Sequence, residues 1–346
     1  MTHSTVYGQK FGPGKLAFVM MTLLCSQFVG SANAQESDTK DAAAQTPSAQ
    51  LLEEIVVTAR YRAEELQKVP DAVTVFNAER IERLDIRGLA DYAIQTPNLY
   101  VREGFRSGLI FLTMRGVTTS QQGWPAVTYV VDGVKGGAAD VINPGGLFDV
   151  ERIEVLRGPQ SALYGAGAIA GAINVVTKTP ANEFSGQVDG TYAKGNDVTF
   201  RGAVSGPVVE DKLAFRLSGY YRNSDGLIDS TTGDDIDFTE QAWVRGRLLF
   251  TPNDTFSLDL RAAYNDINPG SVKSQRFDDP DQVNVFDGSI RPRRGIIGED
   301  NREFLDLSAK IDFVLPFATL TSITSYGDVD QNVFGTASWE RPPALG

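Results

Sequence analysis

From Pro180 onward the sequence alternates apolar and polar residues so strictly that strands are the structure that fits it. In 212–221, Leu213, Phe215, Leu217, Gly219 and Tyr221 share one face, opposite Lys212, Arg216 and Ser218. In 255–265, Phe256, Leu258, Leu260, Ala262 and Tyr264 oppose Ser257, Asp259, Arg261 and Asn265. In 304–315, Leu305, Leu307, Ala309, Ile311, Phe313 and Leu315 oppose Asp306, Ser308, Lys310 and Asp312. Residues 243–250 set Arg245 and Arg247 against Val244, Leu248 and Phe250. Successive side chains on a strand point to opposite faces, so each segment has one apolar and one charged side. Strands of ~10 residues built this way match a barrel that crosses a membrane. A soluble β-sandwich alternates too, and the connections separate the two. The links at 194–197 and 209–211 are short, 224–240 is long, 251–254 is short, 267–303 is very long, and Pro316 marks another tight turn. From 209 onward short and long alternate, as they do when one rim of a barrel carries turns and the other carries loops. The expectation is about seven antiparallel strands in 180–346, the wall of an incomplete transmembrane β-barrel.

Residues 69–178 follow a mixed pattern. A strand is expected at 72–76, a short helix capped by Asn77 and carrying Ile81 and Leu84, and a second helix over 89–95 that stops before Pro97. Strands follow at 109–117, 127–131, 150–156 and 172–177, with Asp132-Gly133 as a turn. This is a small α+β domain. Ahead of it, Leu51 to Arg60 holds a β-branched run between a polar linker at 35–50 and the charged stretch 60–68. A strand-prone segment with no obvious neighbour in sequence pairs readily with a different chain by strand addition; the alternative is a first strand of the domain.

At the amino terminus, Lys10 and Lys15 precede the apolar run 16–24, and Ala32-Asn33-Ala34 supplies small residues at the right spacing for cleavage. That order is a secretory signal peptide over 1–34, and the apolar run is too short to span a bilayer. The chain's one histidine, His3, and one cysteine, Cys25, both fall inside it. The exported chain then contains neither imidazole nor thiol, which excludes Ser-His-Asp and Cys-His catalysis and His- or Cys-ligated zinc. Removing 1–34 takes two lysines and no acids, so the formal charge goes from -12 to -14. A chain this acidic does not suit a nucleic-acid partner. Neither enzyme activity nor a cofactor is expected.

Several motifs in a fixed order resemble one family, the TonB-dependent outer-membrane receptors. Glu54-Ile55-Val56-Val57-Thr58-Ala59 looks like a TonB box. Met114-Arg115-Gly116-Val117, Val131-Asp132-Gly133-Val134, the run from Phe148 to Pro159, and Leu163-Tyr164-Gly165 continuing to Gly171–Lys178 look like plug signatures. The resemblance implies a box region at 51–60, a plug at 61–179 and the first barrel strands at 180–346. It implies residence in the Gram-negative outer membrane, in contact with its lipid, and active uptake of a scarce nutrient such as an iron–siderophore or similar metal chelate. TonB, driven by ExbB–ExbD, would pair with the box and pull the plug. A strand can transmit that force through main-chain hydrogen bonds alone. By the same resemblance Arg115 and Arg157 are the plug arginines that lock onto glutamates of later wall strands. Phe105, Arg106, Gln121, Gln122 and Trp124 lie in loops expected to meet ligand.

Other patterns are decoys. Gly165, Gly167 and Gly171 do not have dinucleotide-loop spacing, and a strand rather than a helix follows. Asp229, Asp234, Asp235 and Asp237 lack the order of a calcium loop, and Asn253-Asp254-Thr255, a glycosylation pattern, falls in a short turn. About seven strands cannot enclose a plug of roughly 110–130 residues, which needs a barrel of roughly 22 strands. The expectation is therefore the amino-terminal portion of a receptor; the alternatives are a non-functional fragment and a passive ligand-binding plug protein without transport.

Overall fold

The computed structural model describes residues 56–57, 64–65, 72–104, 110–118, 126–136, 144–165, 167–228, 235–270 and 298–334. The chain divides into two units, Met1–Pro70 and Asp71–Gly346. In the first, β1 (Val56–Val57) pairs antiparallel with β2 (Glu64–Glu65), Val56 opposite Glu65 and Val57 opposite Glu64. One edge of this β-branched segment is thus taken by its own chain. The expected leader at 1–34 and linker at 35–50 lie outside the described residues.

The second unit begins with β3 (Ala72–Asn77), α1 (Ala78–Arg83) and α2 (Leu89–Ile94). Asn77 caps α1 as predicted, its Oδ1 accepting from the Arg80 amide at 3.0 Å. Ile81 is buried, but Leu84 is the exposed C-cap of the helix and does not join the core. Next come β4 (Leu99–Glu103), β5 (Ile110–Met114) and β6 (Val117–Thr118), a three-stranded antiparallel sheet. Two expectations are corrected here. β4 lacks a clean alternation and escapes the sequence reading. The stretch 109–117 is not one strand, because Arg115 and Gly116 adopt positive φ angles of 51° and 81° and fold the chain back.

The remaining plug elements are β7 (Val127–Val131), β8 (Val134–Lys135), β9 (Val150–Arg157), α3 (Ser161–Tyr164) and β10 (Gly171–Thr177). They form a five-stranded sheet in the order β3-β9-β10-β7-β8, with β10 and β7 parallel and the other pairs antiparallel. Its central strands are covered on both faces, which is why β7 and β10 are mostly apolar runs, while β9 is broken by Glu151, Arg152 and Glu154. Val130, Ile153, Val155 and Ile173 are enclosed, and Phe76, Ile81, Leu89 and Tyr92 pack over Ile153 and Ile173 in one cluster. Gly171 is required where β10 passes β9. A Cβ there would lie 2.3 Å from the Leu156 carbonyl oxygen and 2.3 Å from Met114 Sδ.

The rest is a single antiparallel meander, β11 (Ser185–Ala193), β12 (Asp197–Val209), β13 (Leu213–Ser224), β14 (Thr239–Asn253), β15 (Phe256–Pro269), β16 (Glu299–Leu315) and β17 (Ala318–Phe334). Each strand bonds to the next, and β11 and β17 stand at the two edges. Seven strands stand in this sheet among the described residues, and the longest exceed the ~10 residues that the alternation predicts. β16 and β17 reach 17 residues each, about 55 Å at the usual rise, well past the ~25 Å apolar band of a barrel. Alternation in the apolar band reports only the part that crosses lipid. The outward face keeps its apolar residues unburied: Leu260 is 40 % and Leu307 41 % exposed, with Leu248, Phe250, Ile311 and Phe313 alike. The buried wall residues are the inward ones, including Ala203, Ser205, Ser218, Tyr220, Trp243, Asp259 and Asn265. The protein is an α+β plug followed by an antiparallel sheet that has one lipid-type face and one face toward the plug.

Candidate plug–wall interface

The plug meets the wall most closely at Phe148-Asp149. A short 3-10 turn, Pro144–Leu147, delivers the pair to the start of β9, and Asp149 takes a left-handed φ of 62° that aspartate tolerates better than most residues. The Phe148 ring enters a wall pocket of Ala203, Tyr220 and Trp243. Tyr220 and Trp243 stack at 6.1 Å, Phe148 lies 6.3 Å from Trp243, and the Arg201 guanidinium sits 5.5 Å from the Phe148 centroid. The adjacent carboxylate is 1 % exposed. It accepts from Arg216 Nε at 2.7 Å, from a second nitrogen of the same guanidinium and from the Ser218 hydroxyl. Arg245 Nη2 donates to the backbone carbonyls of Phe148 at 2.8 Å and Asp149 at 3.2 Å. An apolar knob fixes position, and a bidentate guanidinium fixes orientation.

A second grip lies along β14 and β15. Asp132 and Gly133 form the tight turn the sequence predicts, with φ angles of 51° and 85°. The Asp132 carboxylate accepts from the Thr177 amide at 2.9 Å and its hydroxyl at 2.7 Å, tying the turn to the end of β10. Arg261 Nη1 comes within 3.2 Å of Asp132 Oδ2 and donates to the Asp132 carbonyl at 3.1 Å. Arg247 Nη1 donates to the carbonyls of Thr177 at 3.0 Å and Lys178 at 3.1 Å, while its other nitrogens hold Asp259. Arg261 shares that Asp259 carboxylate.

Strand register explains why these groups converge. Arg216 lies directly opposite Arg247, and Arg247 directly opposite Arg261. Like charges facing each other across strands oppose pairing. The row is tolerable because plug carboxylates and Asp259 are interleaved with it. Removing one partner from pairs this dry leaves an uncompensated charge, which costs about 3–5 kcal/mol.

The positions named from sequence are distributed unevenly. Val56 and Val57 form β1, whereas Glu54, Ile55, Thr58 and Ala59 lie outside the described residues, as do Phe105, Arg106, Gln121, Gln122 and Trp124. Arg115 and Arg157, 42 positions apart in sequence, are brought together. Arg115 Nη1 lies 2.9 Å from where a Gly158 Cβ would stand, so the guanidinium covers the glycine that follows Arg157. Arg157 Nη1 reaches the Pro97 carbonyl at 3.5 Å, and its buried Nε has no hydrogen-bond partner. Neither arginine forms an ion pair among the described residues. The contact seen has the opposite polarity to the lock expected, with arginines on the wall and aspartates on the plug. Sequence reasoning missed that wall set. Its signal was present: Arg216, Arg247 and Arg261 each sit on the polar face within a few residues of a short link, and antiparallel pairing from those links aligns them.

Among the decoys, Asp229 and Asp234 lie outside the described residues. Asp237 accepts from the Leu227 and Ile228 amides at 3.0 and 2.8 Å, bracing its loop. Asn253 Oδ1 accepts from the amides of Thr255 and Phe256 and from the Thr255 hydroxyl, forming the turn between β14 and β15. No group of acidic, histidine or cysteine side chains able to hold a metal occurs among the described residues.

Comparison with known proteins adds the family context. Residues 65–172 match a family model described as TonB-dependent receptor plug domain. The chain is 34 % identical over 146 residues to the pesticin receptor of Yersinia enterocolitica, covering 41 % of this chain and 21 % of that protein. It is 32 % identical over 216 residues to a probable TonB-dependent siderophore receptor, PirA, of Acinetobacter baumannii (55 % and 26 % covered). It is 31 % identical over 232 residues to the vitamin B12 transporter BtuB of Vibrio vulnificus (63 % and 34 %). The chain thus spans between 21 % and 34 % of the length of these relatives. In architecture it superposes on the ferric yersiniabactin uptake receptor FyuA of Yersinia pestis with a TM-score of 0.70 at 22 % identity, covering 78 % of this chain and 42 % of that one. The ferripyoverdine receptor of Pseudomonas aeruginosa gives 0.65 at 18 % identity, covering 83 % and 38 %.

Proposed function

We propose, from the premise that this chain carries the plug and first wall strands of a TonB-dependent outer-membrane receptor, that it serves active uptake of a scarce nutrient across that membrane. The observation that carries the reading is the seating of Phe148-Asp149 on the inner face of a sheet whose outer face is apolar and unburied. A body docked that way stops a pore. An outer membrane has neither ATP nor an ion gradient of its own, so the work of moving the stopper must arrive mechanically. Glu54–Ala59 is the segment suited to receive it, with TonB as partner and ExbB–ExbD as the source of force. The cargo class is an iron–siderophore or similar metal chelate, in keeping with the names of several relatives. Arg115 and Arg157 complete the lock on glutamates beyond the described wall, and the unpartnered Nε of Arg157 supports that role. Phe105, Arg106, Gln121, Gln122 and Trp124 form the ligand-facing loops of the plug.

The test is uptake of a panel of ferric chelates, cobalamin and oligosaccharides by cells carrying the receptor gene as it stands in the genome. Val57→Pro deletes a main-chain donor from the strand that TonB would pair with. Uptake of one ferric chelate should fall to the level of a strain lacking TonB. Uptake that is the same with and without TonB, and unchanged by Val57→Pro, would overturn the reading.

A further inference from the structure

The wall arginines hold more positive charge than the wall itself answers. Arg216, Arg245, Arg247 and Arg261 face one wall carboxylate, Asp259, among their described partners. Taken alone, that strip carries a net of three positive charges, and Asp132 and Asp149 from the plug reduce it to one. Three of the guanidinium groups lie in a row across three neighbouring strands, spanning about 10 Å at the usual strand spacing. The row continues into Ser205 on one side and Ser308 on the other, both on the same face. Two carboxylates are already bound to it, at 2.7 Å from Arg216 and 3.2 Å from Arg261. What the strip binds is therefore visible, and the plug supplies it.

Resting on the uptake reading above, we infer that the strip is a second, transient binding site for polycarboxylate cargo. It is occupied by Asp132 and Asp149 while the plug is seated and vacated when the plug is drawn away. At rest the plug carboxylates win because they are held at high effective concentration by their own chain. Once they leave, three guanidinium forks lining the pore favour an anion with carboxylates spread over a similar distance, and bidentate geometry suits that group. The strip lies nearer the short links than the long ones, so it is met late on an inward path. A carboxylate-bearing metal chelate released from the outer loops would be taken up there rather than diffusing back.

The experiment uses the full receptor in planar bilayers, with urea sufficient to unseat the plug, and reads block of the ionic current by citrate. Wild-type current should be blocked by citrate and untouched by its neutral triethyl ester. The double variant Arg247→Gln/Arg261→Gln should raise the half-blocking concentration about tenfold or more, as expected on losing two charge-assisted contacts. Asp259→Asn, which removes the wall's own carboxylate, should lower it. Heat-modifiable migration of each variant reports that the barrel is folded. No block of the folded wild type by citrate, equal block by the ester, or folded variants that match wild type would overturn the inference. TonB takes no part in this measurement, so its outcome is independent of the uptake test.

Discussion

In the plug, β7, β9 and β10 turn both faces toward protein, and Val130, Ile153 and Ile173 are fully enclosed. In the wall, β13 to β16 turn one face outward and leave Leu260 and Leu307 about two-fifths exposed, while the inner face buries Ser218, Asp259 and Asn265. The plug is held by a large apolar cluster, with a few buried polar groups such as Glu154 and Asn174 hydrogen-bonded to one another. The wall reverses this, with polar groups buried and apolar groups outside. The difference teaches where each part draws its stability. The plug depends on expelling water from its interior, whereas the wall depends on its hydrogen-bonded ladder, on lipid, and on ion pairs made with the plug.

The largest expected effect comes from breaking the plug alone. Phe76→Ala removes a ring from the cluster around Ile153 and Tyr92 and should cost about 3–5 kcal/mol. In urea, the plug of the intact receptor should become protease-sensitive at lower concentration while the heat-modifiable migration of the barrel is unchanged. Equal loss in both would mean that the two parts do not differ as argued. Next in size, Leu260→Arg places a charge on the outer face and should cost about 2–4 kcal/mol near mid-membrane. Equilibrium folding into lipid vesicles measures it, and a neutral result would contradict an outward Leu260. The smallest is Asn77→Ala, which removes the cap of α1 and should cost about 1 kcal/mol of plug stability with none to the wall. Hydrogen exchange at the Arg80 amide reads it directly.

How much of this was legible in the sequence follows from the same contrast. The wall was readable because period-two alternation is the direct imprint of one lipid face, and short links fixed which strands are neighbours. Strand ends were not, since β16 and β17 run past the membrane, where no solvent contrast enforces a pattern. In the plug, Asn77 and Asp132-Gly133 announced themselves through local chemistry. β4 did not, because its neighbour β5 is reached through residues 104–109 and its pattern is set by tertiary packing. The wall arginines were each noted as polar-face residues. Their meaning needed the cross-strand register that sets Arg216, Arg247 and Arg261 side by side, and the plug aspartates that meet them.

That row of face-to-face arginines bears on how firmly the wall is sealed. Strands β13, β14 and β15 repel at the position where they should zip most tightly, so a hairpin formed ahead of the plug would be poorly sealed there. Asp132 and Asp149, beside the Asp259 that the wall itself supplies, offset much of that repulsion. The cork therefore helps to seal its own bottle: the staves close more firmly around the stopper than they would without it.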